Sequence, residues 1–392
     1  MSRRAVLRSV VAISAVVAGS LVPAASSHVA VASDCADEPV TAASLDAAFA
    51  AGVDGIVGAD YQRAVELDDG RVLWVFQDVF IETSDGELEF VHNAGALQTG
   101  GCFEALVGGT EERPQAWVGS ETSHELVHWY WPLDGYQLDA DTFVLHLAEM
   151  EERGDRYLDN ATPVATWEVS IDLTSMTVGP LRPAPDPTTA LYGFEIVDDG
   201  DVRYFYGQCH RQFGFGEIGH DECAATVLLA RRPIDEPQAP LEYWDGDEWT
   251  RNSRRAENVA PLVTPGEEQF RFANPMQVEY DDGRWIAVTK VNDWFGGTLH
   301  FDVAEQPQGP WTTTSVRPVA PPGDPAEVTS YFASFVPSDE EGWTLAVSSN
   351  RWDGAYSNAY RPRFETVDER LWRPHAAVKL AGDVWLPIGR RL

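Results

Sequence analysis

An acidic or glycine-bearing turn leading into an alternating apolar strand recurs five times along this chain. The copies are "DDGRVLWVFQD" (68–78), "DADTFVLHLAEME" (139–151), "DDGDVRYFYGQCH" (198–210), "DDGRWIAVTKVND" (281–293) and "DEEGWTLAVSSNR" (339–351). Period-2 alternation bounded by turn residues marks strands, and long helical periodicity is almost absent, so the chain reads as all-β. The markers Gly70, Thr142, Gly200, Gly283 and Gly342 are spaced 58 to 83 residues apart, room for a four-stranded antiparallel sheet and its loops in each interval. Five such sheets arranged radially make a five-bladed β-propeller, whose blades bury their faces against one another. That mutual burial accounts for Trp or Tyr in nearly every repeat; a pair of β-sandwiches would not need five similar hairpins.

The first 32 residues read as a secretory leader. Three arginines precede a short apolar run, and Ala30-Val31-Ala32 supplies a cleavage site. The run is too short and too rich in small residues to span a bilayer of about 30 Å, and no later segment is continuously apolar, so no membrane span is expected. Residues 2–8, "SRRAVLR", also approximate a twin-arginine signal, with Val6 where Phe is usual. The expected organisation is leader 1–32, N-terminal segment 33–52 and propeller 53–392, in a protein exported to the cell wall or medium and acting as a monomer. The formal net charge is −34, and losing the leader's arginines makes it more negative, which excludes nucleic acid as a natural partner. Four cysteines in an exported chain point to disulfides. Cys209 with Cys223 would staple a Gly-rich loop, and Cys35 with Cys102 would tie the mature N-terminus to the first sheet.

In a propeller the first strand of each blade lines the central channel and the second returns to the starting face. Asp60 stands before the first strand and Asp78 after the second, so the hairpin delivers both carboxylates to one mouth of the channel. Two such groups brought together push their pKa values apart unless a ligand or cation separates them, the condition for an acid and base pair. The same rule gathers Trp129 and Trp131, Glu149, Glu151 and Arg153, Tyr192, Gln208 and His210, Asn274, Lys290, Asn292 and Asp293, Tyr331, and Asn350 and Arg351, with His92 and Asn93 opening the third strand of the first blade. Carboxylates, amides, Arg and aromatic faces are the materials of a sugar site. A neutral polysaccharide is the expected partner; no organic cofactor is required, and the acidic channel has room for a structural cation.

Two motifs point elsewhere. "HELVH" (124–128) matches the HExxH zinc pattern, but that pattern needs a helix, and "GSETS" before it with "WYWP" after it favours a strand and a turn. "GFGEIG" (214–219) matches GxGxxG, yet it lies between Cys209 and Cys223 and is followed by "HDEC", which suits a stapled surface loop rather than a dinucleotide site.

"GADYQRAVELDDGRVLWVFQD" (58–78), with "HNAG" and "NPMQVEYDDGRW" further on, resembles a bacterial five-bladed propeller family long catalogued as a domain of unknown function and now associated with endo-D-arabinanases. These are exported glycoside hydrolases that cut the D-arabinofuranan of mycobacterial and related cell walls. The resemblance runs from about Gly52 to Pro374 and is most specific at Asp60, Asp69, Gly70, Leu73, Trp74, Phe76 and Asp78. It implies that Asp60 and Asp78 are the catalytic carboxylates. Tyr61 and Gln77 depart from it, standing where glycine is expected. The residues alone leave one alternative open: a non-catalytic glycan-binding propeller, which would use the same aromatics without needing both carboxylates to face one point.

Overall fold

The computed structural model describes residues 35, 37–119, 128–152, 161–186, 190–209, 226–260, 276–291, 297–319, 328–351, 360–373, 377–380 and 384–387. Antiparallel pairing dominates, and the fold is all-β. Of the eight sheets among the described residues, five are meanders in which strands pair in order of occurrence. The first comprises Arg63–Glu66, Val72–Phe76, Ala94–Thr99 and Cys102–Leu106. The second opens with His128–Asp139 and Thr142–Glu152, the third with Ala190–Asp199 and Val202–Cys209, the fourth with Gln277–Asp281 and Arg284–Val291, and the fifth with Val328–Val336 and Trp343–Arg351. Each of these opening hairpins turns at one of the five acidic or glycine-bearing repeats.

The first strands of the five meanders touch in cyclic succession: first with second, second with third, third with fourth, fourth with fifth, and fifth with first. Their sheets pack face to face through separate apolar clusters. Leu73, Val75, Phe143, Leu145 and Ile171 join the first two sheets, and Tyr206, Leu229, Val278 and Trp285 join the third and fourth. Ile286, Val288, Phe335, Leu345 and Trp372 join the fourth and fifth.

The uniform four-stranded pattern does not hold. The second and third sheets have five strands, and the fifth has three. The exposed side of the three-stranded sheet is covered by a helix, Ala42–Ala51, which packs on its last strand, Arg361–Val367. That helix opens with a capping box between Thr41 and Ser44 and sends Phe49 among Trp74, Phe76, Phe103 and Phe364 at centroid distances of 5.1–5.9 Å. A covered edge is protected from pairing with another chain. The sequence left the N-terminal segment 33–52 without assigned elements; ten residues are too few for the helix period to stand out. A further small sheet pairs Ile56–Ala59, which precedes the first meander, with Val79–Glu82 and Leu88–Val91, which lie between that meander's second and third strands.

The Cys35–Cys102 disulfide forms as expected, with Cα atoms 5.2 Å apart across 67 residues of chain. Cys223 and the side chain of Cys209 lie outside the described residues. Replacing both Cys35 and Cys102 by Ser should lower unfolding free energy by about 4 kcal/mol, from the closure entropy of so long a loop. Urea denaturation of the parent and the double variant checks this; equal midpoints would refute it.

Candidate active site

Asp60 and Asp78 meet. The Asp60 N–H donates to the Asp78 carbonyl at 3.2 Å, the Gln77 N–H donates to the Asp60 carbonyl at 3.1 Å, and the Asp78 N–H donates to Asp60 Oδ1 at 3.1 Å. The register of the first hairpin therefore sets the two carboxyl groups side by side, as its outer ends require.

Their surroundings differ. Asp60 is only 5% exposed. Tyr331 donates its hydroxyl to Asp60 Oδ2 at 2.7 Å, and the Tyr360 hydroxyl, which donates to the Asp78 carbonyl at 3.3 Å, lies within reach of the same carboxyl. Burial, reinforced by the charge of Asp78, pushes the Asp60 carboxyl up to about 8; the hydrogen bonds from Tyr331, Tyr360 and the Asp78 backbone pull the other way and lose. Asp78 is 22% exposed and accepts on Oδ1 from the Trp131 indole N–H at 2.9 Å. His92 Nδ1 lies 2.9 Å from the same oxygen. The His92 ring stacks on Trp129 at 4.6 Å and 21°, which holds its orientation.

The backbone here is unusual at Tyr61, where φ is +45°, a region that glycine enters most easily. Tyr61 adopts this conformation despite its side chain. Its N–H is held by Ser348 Oγ at 3.0 Å, and its ring packs on Tyr331 and Phe332 at 5.3 and 4.9 Å. The other departure, Gln77, is buried and donates Nε2 to the Pro132 carbonyl at 3.2 Å.

The other sequence-derived positions scatter. Asn93 is buried, with both amide hydrogens given to the Val118 and Tyr130 carbonyls and Oδ1 accepting from Val118 N–H, so it ties the first sheet to the second. Trp129 and Trp131 lie within the opening strand of the second sheet rather than before it. Glu149 accepts from Trp167 Nε1 at 2.7 Å and lies 3.0 Å from His128 Nδ1. Glu151 and Asn350 are partly exposed. Tyr192 sits in the cluster formed with Tyr136, Phe205 and Tyr243, and Gln208 and Lys290 are fully buried. Arg153, His210, Asn274, Asn292, Asp293 and the side chain of Arg351 lie outside the described residues, as do "GFGEIG" and residues 124–127 of "HELVH". His128 itself opens a twelve-residue strand, not the helix a zinc motif needs. Among the described residues, no group of His, Cys, Asp and Glu is placed to hold a metal ion.

Tyr360 escaped sequence reasoning. It lies at the start of a third strand, outside the hairpins that supply the other groups, and nothing local to it signals a site. Arg63, Asp134, Glu195 and Glu279 were missed too, although charge inside an apolar alternating strand was a visible signal. For Asp134 and Glu195 the cause is a β-bulge in the opening hairpin, between Pro132 and Gly135 and between Tyr192 and Glu195, with a third such bulge between Ser330 and Phe332; Arg63 and Glu279 lie in unbroken hairpins. A bulge resets which residues face which side. At the second of these, Gly193 has φ +91° and its absent Cβ would lie 2.6 Å from the His146 ring.

The chain belongs to the family described as Domain of unknown function (DUF5005), whose model matches residues 46–369. No curated protein sequence matches it. Among solved structures, it is similar to a Bacteroides ovatus protein put forward as a hydrolase, at 17% identity and a TM-score of 0.64, over 82% of this chain and 88% of that one. Looser similarity extends to a GH43_1 enzyme of Xanthomonas citri (14% identity, TM-score 0.46, 86% and 92% of the chains). It extends also to an α-L-arabinofuranosidase of Podospora anserina (10% identity, TM-score 0.44, 79% and 90%).

Asp60 makes stability depend on pH. Its native pKa of about 8 lies above the ordinary 3.8, so its stabilising share is complete below 3.8 and is lost as pH rises through 8. The melting temperature of Asp60→Asn minus that of the parent should grow from pH 4 to pH 8 and level off above. A gap independent of pH, measured by thermal unfolding across that range, would contradict the assignment.

Proposed function

We propose that this chain is an exported five-bladed β-propeller glycoside hydrolase that cleaves furanosidic linkages within a cell-wall polysaccharide, D-arabinan in particular. The propeller reading is supported by five consecutive meander sheets whose first strands touch in a ring. The observation that carries the chemistry is the unequal pair: Asp60, buried under two tyrosine hydroxyls and pushed up to about 8, hydrogen-bonded through its backbone to the more exposed Asp78. The choice of D-arabinan rests on the resemblance of residues 58–78 to the endo-D-arabinanase pattern.

In this reading Asp60 is the general acid. It carries its proton at neutral pH and passes it to the glycosidic oxygen as the bond from that oxygen to the anomeric carbon breaks. Asp78 is the partner that either attacks the anomeric carbon, releasing the sugar to water in a second step, or takes a proton from water as the water attacks. Two acceptor contacts fix its orientation, the Trp131 indole N–H and the His92 ring. Tyr331 and Tyr360 hold Asp60 in register while leaving its proton available. Positive charge develops on the sugar ring in the transition state, and in this reading the Asp78 carboxylate stabilises it. Each of these steps is supplied by side chains, without an organic cofactor.

Release of oligoarabinosides from mycobacterial arabinogalactan and lipoarabinomannan tests the reading. The parent should release them, and Asp60→Asn and Asp78→Asn should each lose roughly 10²–10⁴-fold or more, the range for removing an acid or base. Binding without release in all three proteins would instead support a glycan-binding propeller. In the active parent, kcat/KM should fall about tenfold per pH unit above pH 8, as Asp60 gives up its proton. A profile flat to pH 10 would remove Asp60 from the acid role.

A further inference from the structure

Past the Asp60 layer, the five first strands run on toward their turns and enclose a second cavity of about 530 Å3. Each strand contributes to its wall: Arg63, Asp134, Glu195, Gln277 and Ser334, in order around the ring. Asp60, Asp78 and His92 do not line it. Between the two lie the rings of Tyr61, Phe194 and Phe332, packed in one apolar cluster. The Arg63 guanidinium sits against two of these rings, 4.6 Å from the Phe194 centroid and 4.9 Å from that of Phe332.

The wall is polar on both sides of the hydrogen-bond ledger. Arg63 is 3% exposed and Gln277 is 1% exposed, yet among the described residues Arg63 Nη2 and Gln277 Nε2 have no acceptor. Buried donors without acceptors are destabilising, and native structures rarely keep them unless something enters the site. Three carboxyl groups of the inner wall, Asp134, Glu195 and Glu279, are near enough to repel one another, and Glu66, Asp68 and Asp198 add three more to the lining. Two of the Asp134 and Glu195 contacts are already spent on the fold: Asp134 accepts from the Ile196 N–H at 2.7 Å and Glu195 from the Val278 N–H at 3.3 Å.

This donor and acceptor set discriminates among ligands. An anion would satisfy Arg63 and Gln277 but face the six acidic side chains of the lining. A cation would suit the carboxyl groups but meet the guanidinium and leave the Gln277 amide unpaired. A hydroxyl accepts from the two donors and donates to the carboxyl groups without net charge. Tyr280, 40% exposed at the rim of the cavity, adds an aromatic face of the kind sugar rings stack on. The volume lies within the range of about 300–1,000 Å3 typical of small-molecule sites.

We propose that this cavity is a second carbohydrate site, taking a neutral sugar unit at the opposite end of the first strands from Asp60 and Asp78. The inference does not require those aspartates to be catalytic. Its test uses the full chain carrying Asp78→Asn, so that turnover cannot consume the probe. D-arabinose, D-galactose, D-glucose and an arabino-oligosaccharide are titrated by saturation-transfer NMR and calorimetry, with sodium phosphate and spermidine as anionic and cationic probes. Saturable binding of at least one sugar is expected, weakened tenfold or more by Gln277→Met and by Glu279→Gln with the near-ultraviolet circular dichroism unchanged. Tyr280→Ala, a rim substitution with little effect on folding, should weaken the same binding. The proposal is overturned if no sugar saturates, leaving water as the only occupant, or if phosphate or spermidine binds in place of sugars. It is overturned equally if sugar binding survives those three substitutions and is lost in Trp131→Ala, because the ligand would then sit beside Asp78.

Discussion

The Arg63 guanidinium is the point on which the centre of this molecule depends. Strands of neighbouring meander sheets meet there without a continuous hydrogen-bond ladder between them, so side chains must hold the ring. Arg63 is buried in the first strand of the first sheet and donates to the carbonyls of Phe194, Tyr61 and Pro132 at 3.2–3.5 Å, reaching the second and third sheets. Its faces meet Phe194 and Phe332, which brings in the fifth sheet. A charge so placed is tolerated because carbonyl dipoles, aromatic faces and the Asp134 and Glu195 carboxyl groups surround it. Gln62, one residue earlier, closes the remaining side by accepting from Ser348 Oγ at 2.7 Å, while Ser334 Oγ donates to its carbonyl at 3.0 Å.

That anchoring connects stability to the proposed chemistry. With the first strand pinned by Gln62 and Arg63, the chain just before it has little freedom, and Asp60 enters at a fixed height under Tyr331 and Tyr360. Tyr61, next in the chain, packs with Phe194 and Phe332 in one apolar cluster, and Asp60 itself is buried. Desolvation is the largest cause of the raised Asp60 pKa, so the apolar packing of this cluster acts directly on the acid. Asp78 lies at the looser end of the hairpin and draws its orientation from side chains, His92 and Trp131, rather than from burial. One hairpin thus presents two carboxyl groups in two different media, the arrangement that separates acid from base.

Much of this was legible residue by residue. The turn and strand repeats located all five opening hairpins because alternation and glycine turns are local signals. The meeting of Asp60 with Asp78 followed from hairpin geometry alone, since the two ends of any antiparallel pair are neighbours. The Cys35–Cys102 pairing was legible because four cysteines allow only three pairings and Cys209 and Cys223 stand close together in sequence. The helix at Ala42–Ala51 was not, since its burial comes from Phe49 entering a hole left by the short fifth sheet. Nor were the bulges, which carry no composition signal strong enough to shift an alternation by eye. Asn93 looked like a ligand group because amides at strand ends often are; in the fold both its amide hydrogens are already committed. Tyr360 became visible only when its strand was seen beside Asp60.

The sequence by itself determined the all-β class, the opening hairpins and the two adjacent aspartates, because period, turn chemistry and hairpin pairing act over a few residues. Tertiary structure alone decided how far each carboxyl group is removed from water, which tyrosines cap Asp60, and which charged residues, Asp134 and Glu195 at bulges among them, turn inward to line the second cavity. Those outcomes depend on contacts between segments more than 100 residues apart, such as Tyr331 with Asp60 and Arg63 with Phe194. Desolvation is a property of everything packed around a group, and no local pattern in a chain encodes it.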